Sequence, residues 1–147
     1  MTTRSIPSAS WLVLCLGLAL FATGCGKTGK LSAALETRFA KEGISRRAED
    51  LTFRRTITGG QRNSGWDERR ASIVVSKESV FLHINGKALV EITPRSTGFY
   101  DIHRDADRLS LHAGSGKSAA SWSFRPPEDA DGWTKDIRAV IKNAKAR

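Results

Sequence analysis

Trp122-Ser123-Phe124-Arg125-Pro126-Pro127-Glu128-Asp129-Ala130-Asp131-Gly132-Trp133 is where one hydrophobic period gives way to another. Before the prolines, Ala120, Trp122 and Phe124 share one side of an extended segment over about 119–125, with Ser121 and Ser123 on the other. Pro126 and Pro127 have no N–H to give to a ladder, and they end the strand. Beyond them Trp133, Ile137, Val140, Ile141 and Ala144 recur at helical spacing, predicting a helix from about Asp129 to Ala144. Glu128, Asp129 and Asp131 stand at its start and Lys142, Lys145 and Arg147 at its end, as the helix dipole favours. A half-buried strand that feeds an amphipathic helix predicts a sheet with one face covered by that helix.

Upstream, period two dominates. Leu51, Phe53 and Ile57 alternate with Thr52, Arg54, Thr56 and Thr58, and a loop follows over 59–65. A second strand runs from about Arg70 to Ser76. Val80–Ile84 and Ala88–Ile92 flank Asn85-Gly86, the strongest short hairpin signal. Phe99–His103 and Arg108–His112 form another hairpin around Asp105-Ala106, a register that sets Ile102 against Leu109 and Tyr100 against Leu111. Near the start, Leu31, Leu35 and Phe39 recur every four residues between Ser32, a cap, and Gly43, a stop, predicting a short helix. The expected class is α+β: an antiparallel seven-stranded sheet or small barrel with a C-terminal amphipathic helix and a short N-terminal one.

Seven strands followed by one amphipathic helix resemble a pleckstrin-homology-like domain over about residues 50–145. The segment from Trp122 to Trp133 is similar to the end of such domains, where an aromatic last strand leads into an acidic helix start and a buried Trp. The resemblance implies that Trp133 packs into the mouth of the barrel. Phosphoinositide-binding members carry Lys and Arg around the first inter-strand loop. Here Arg54, Arg55, Arg62, Arg69 and Arg70 lie in that region without the family's spaced basic pattern. Many domains of this fold bind proteins instead, so the fold alone does not set the function.

The N-terminus has a different logic. Arg4 is followed by the apolar run Trp11–Phe21, of signal-peptide length and too short for a permanent span, then by Ala22-Thr23-Gly24-Cys25. This ending resembles the lipobox of bacterial lipoproteins, with Ala22 where Leu is commonest. The resemblance implies cleavage before Cys25, diacylation of its thiol, and a lipid anchor in the cell envelope. With Gly26 rather than Asp next, it implies the periplasmic face of the outer membrane in a Gram-negative cell. The competing readings are an ordinary signal-peptidase site after Ala22-x-Gly24, which leaves a free Cys25 thiol, and an uncleaved anchor. The expected organisation is a signal peptide over 1–24, a tether over 25–30 and a single domain over 31–147. Cys15 leaves with the signal, so the mature chain has one cysteine and forms no internal disulfide.

The chain carries 24 Lys and Arg against 15 Asp and Glu; removal of Arg4 with the leader leaves 23 − 15 = +8. That charge suits anionic surfaces such as lipid headgroups or phosphorylated glycans, with Lys27, Lys30, Arg54, Arg62, Arg69 and Arg70 as candidate contacts. Trp66 is a candidate exposed contact on the first loop. Asp67-Glu68 beside it point to opposite sides of an extended chain, which suits charge pairing with Arg69 and Arg70 better than glycosidase chemistry. Asp101, His103 and His112 could share a face, but the expected register sets His103 against Arg108 and His112 against Phe99, a solvated face rather than a metal site. HExxH, phosphate-loop and CxxC motifs are absent, and Ser115, Ser118 and Ser121 have no evident His–acid partners. The expectation is a lipid-anchored envelope protein whose domain binds or scaffolds, with no catalytic residues, no cofactor and no nucleic-acid partner. Its partner is an envelope protein or an anionic lipid or glycan; an envelope hydrolase is a less favoured reading.

Overall fold

The computed structural model describes residues 28–58, 66–115 and 118–146, and only the backbone at the strand ends Thr58, Trp66, Ser115 and Ser118. The leader, Cys25, Lys27 and Arg62 lie outside the described residues. The elements are α1 (Ala33–Glu42), β1 (Ile44–Thr58), β2 (Trp66–Ser76), β3 (Val80–Ile84), β4 (Lys87–Ile92), β5 (Phe99–Asp105), β6 (Arg108–Ser115), β7 (Ser118–Phe124) and α2 (Ala130–Lys145). The strands form one antiparallel sheet in the order β4-β3-β2-β1-β7-β6-β5, so the first and last strands of the long meander are joined through β1 and β7. The sheet curls into a half-barrel whose edges, β4 and β5, make no ladder with each other.

The concave face carries the alternating apolar residues that the sequence pattern picks out. Phe53, Ile73, Leu82, Ile102, Leu111 and Phe124 are buried there against Trp133, Ile137 and Val140 of α2. Trp133 is 2 % exposed and meets Phe124 edge-on at 6.2 Å, the burial expected of it. Asp129 starts α2 from a left-handed conformation, its carboxylate accepting from Gly132 N at 3.0 Å. Arg46 of β1 clamps that turn, 2.8 Å from both Asp129 and Asp136. The Gly132 bond first, and then Arg46, hold the Asp129 carboxyl below its ordinary range.

The second half of β2, residues 71–76, and β3 are buried on both faces, because α1 covers their convex side. Leu31, Leu35 and Phe39 pack on Val74 and Phe81, with the Phe39 and Phe81 rings 5.4 Å apart. Ser32 caps α1 by accepting from Leu35 N, and Gly43 closes it with φ 78°. The far end is pinned by Glu42, which accepts from the Ser76 and Ser79 hydroxyls and pairs with Arg38. Burial pushes the Glu42 carboxyl up, but those three partners outweigh it and hold it below its ordinary value.

Three details depart from the sequence reading. First, β1 begins at Ile44, seven residues before Leu51. A bulge between Ala48 and Leu51, with Asp50 at φ 54°, breaks the alternation that would have revealed it. Second, the β5–β6 turn is Ala106-Asp107 rather than Asp105-Ala106, with Ala106 at φ 50°. Ile102 therefore faces Leu111, and Tyr100 faces Ala113. A two-residue slip leaves every side chain on its expected face, so the apolar pattern could not detect it. Third, the fold begins inside the expected tether. Thr28 is buried, its hydroxyl 2.8 Å from Ser72 Oγ and its carbonyl accepting from Asn85 N at 2.9 Å.

Candidate functional site

Along β1 the concave positions are Leu51, Phe53, Arg55 and Ile57, so a guanidinium stands where the pattern calls for an apolar side chain. Its cross-strand neighbours are Asp67 on β2 and Trp122 on β7. Asp67 commits its carboxylate to Arg69 at 2.6 Å. Arg55 turns to the aromatic side and lies over Trp122, 5.3 Å from the ring centroid. That cation–π contact compensates part of its desolvation. Among the described residues no carboxylate pairs with Arg55, and its buried Nε has no hydrogen-bond partner. Leaving a buried donor unsatisfied costs about 1–3 kcal/mol, and such a group calls for a physical reason.

Arg55 lines a cleft of about 310 Å³ in the concavity, between the two open sheet edges. Leu89 and Val90 of β4 form one wall, Tyr100 of β5 the other, and Ala113, Ala120 and Trp122 the floor. The small side chains of Ala113 and Ala120 leave the space that α2 fills elsewhere in the half-barrel. The result is a hollow of mixed polar and apolar lining, with Glu91, itself paired with Arg38, and Thr97 also at its border, and with one cation that has no carboxylate partner among the described residues and one phenol.

The residues favoured by sequence do not converge. Arg54 faces Glu68 in the ladder, and the two pair at 3.6 Å on the convex face, where Arg70 also donates to Asp50 at 3.0 Å. Arg69 lies opposite Phe53 and hence on the concave side. Arg54, Arg69 and Arg70 thus do not share a face, and each has a carboxylate neighbour. Lys30 is exposed beside Thr28, while Cys25, Lys27 and Arg62 lie outside the described residues. Trp66 belongs to β2, opposite Thr56, rather than to the loop; its side chain is outside the description.

The corrected β5–β6 register brings Asp101 opposite His112. His103 Nε2 lies 3.0 Å from Asp101, and the two imidazoles meet edge-on at 5.1 Å. The three share the convex face, yet among the described residues no group of His, Cys, Asp and Glu is arranged to hold a metal ion. His83, outside that constellation, is buried.

Arg55 itself was missed. Its signal was present: the alternation Leu51, Phe53, Ile57 skips it, and a cation in a core register is the anomaly that marks a site. No family model matches the chain, and no curated protein is significantly similar to it.

Proposed function

We propose that the chain is a lipid-anchored protein of the bacterial cell envelope whose domain binds or scaffolds a partner rather than catalysing a reaction. The observation that carries the reading is how little chain separates Cys25 from the fold. Thr28, three residues on, is locked to Ser72 and Asn85. Three residues span at most about 11 Å, so an acylated Cys25 would hold the whole domain against the headgroups. A body held that closely suits presentation of a surface at the membrane. With Gly26 after the cysteine, the address in a Gram-negative cell is the outer membrane's periplasmic face. The strand order and the helix on the concave face support the pleckstrin-homology-like resemblance, and with it a binding role.

Intact mass of the membrane-extracted protein tests the anchor. The expected species begins at Cys25 and carries acyl additions, and Cys25→Ser accumulates as the uncleaved precursor. Normal maturation of that variant, or an unmodified chain starting elsewhere, would refute the reading.

One observation favours a second reading, an anionic-surface binder, through residues other than those the sequence suggested. Lys135, Arg138 and Lys142 follow one another along the exposed side of α2 and line one shallow surface. None of them has a carboxylate within ion-pair distance among the described residues, in contrast to Arg54, Arg69 and Arg70.

A further inference from the structure

The geometry points to a binding site for an organic oxyanion, a carboxylate or phosphate on an apolar body, in the cleft between β4 and β5. The charge is Arg55. Its guanidinium is held over Trp122, its in-register acid Asp67 is engaged by Arg69, and among the described residues no carboxylate pairs with it. A guanidinium offers five donors in a planar fork that matches the oxygens of a carboxylate or phosphate. The apolar requirement comes from the walls. Leu89, Val90, Ala113, Ala120 and the Trp122 ring would be only partly covered by a bare inorganic ion. Tyr100, across the cleft from β4, adds a hydroxyl able to donate to a second oxygen. The volume of about 310 Å³ is at the small end for ligand sites, enough for one ring or a short acyl chain behind the anionic head. This chemistry reaches the cleft either as a soluble metabolite-sized acid or as a lipid headgroup with its adjoining carbons. The inference does not depend on acylation of Cys25, and its failure would leave that reading standing.

Phenyl phosphate and hexanoate are the probes, titrated into the full ¹⁵N-labelled chain in a neutral detergent and followed at the indole N–H signals of Trp122 and Trp133. Saturable movement of Trp122 is expected below about 10 mM, with Trp133, behind Phe124 in the core, unmoved. Benzyl alcohol, without charge, and inorganic phosphate, without an apolar body, should each bind at least about tenfold more weakly. Arg55→Gln should lose at least about tenfold in affinity while keeping the Trp133 signal of the folded core, and Arg55→Lys should retain part of the binding. Vesicles of phosphatidylglycerol in phosphatidylcholine separate the sources. Arg55-dependent capture by them identifies a lipid headgroup, and binding of the soluble probes alone identifies a free acid. Absence of saturable movement of Trp122, equal binding by folded Arg55→Gln, or equal binding of benzyl alcohol would overturn the inference.

Discussion

His83 shows how a single side chain couples this fold to pH. It is buried on the convex face of β3, stacked on Phe81 at 5.1 Å, and its Nδ1 accepts from Gly86 N at 3.1 Å. That bond requires an unprotonated Nδ1. Burial first, and then the nearby Arg47 charge, push its pKa below the ordinary value. His112 is shifted the same way, by burial and then by His103. A base whose folded pKa is depressed leaves the unfolded chain binding more protons as the pH drops through the ordinary histidine value of about 6.5. Their contribution is therefore complete above that pH and is lost progressively below it. The melting temperature should fall between about pH 7 and pH 5, and His83→Asn should flatten that decline. Equal slopes for wild type and variant would show that His83 is not the acid-sensitive group. Arg55 makes the complementary point: a charge on the wrong side of a strand is informative because the rest of the strand obeys its pattern.

At the scale of elements, α2 is the piece without which the concave face has no cover. Its stripe from Trp133 to Ala144 packs into the half-barrel, and Trp133 is the largest side chain of that stripe. Trp133→Ala should cost about 3–5 kcal/mol, read by urea denaturation of the chain. A loss below about 1 kcal/mol would mean that the helix docks through its other residues. This element was fully legible in sequence, because an amphipathic helix writes its buried face into a single periodicity. The strands were legible as elements and faces, and Asn85-Gly86 fixed one hairpin: both residues have positive φ, 49° and 78°. What stayed hidden has physical causes. The first half of β1, Ile44–Asp50, is polar because it meets charged partners on both faces, Asp136 of α2 and Glu36 of α1, and its bulge resets the alternation. The β5–β6 register depended on Ala106 adopting a left-handed conformation, which composition does not announce. The cleft needed β4, β5 and β7 in space together, and no local pattern encodes their meeting.

For the whole molecule, net charge and charge placement tell different stories. The chain's net charge is +9, yet on the sheet Arg54, Arg69 and Arg70 have carboxylate partners, whereas α2 presents Lys135, Arg138 and Lys142 without one among the described residues. If the domain binds an anionic surface, reversing these three to Glu should abolish its low-salt binding to phosphatidylglycerol vesicles, and wild type should release as screening shortens to about 5 Å near 0.3 M salt. Reversal of Arg54 and Arg70, already opposed by Glu68 and Asp50, should matter less. Persistence of binding in the α2 triple variant would exclude that face.

The open rim of the half-barrel has a consequence for how copies of this chain coexist. A sheet with two free margins can in principle grow, the β4 margin of one copy templating the β5 margin of the next. Curvature opposes it. Both margins line the same hollow, so they turn toward each other rather than outward, and end-to-end addition would require the sheet to flatten and expose its core. The last residues of β5, His103, Arg104 and Asp105, are exposed polar groups that a stacking neighbour would have to desolvate. The same curl that shapes the cleft thus works against fibre formation, and a substitution that flattened it would expose the chain to polymerisation.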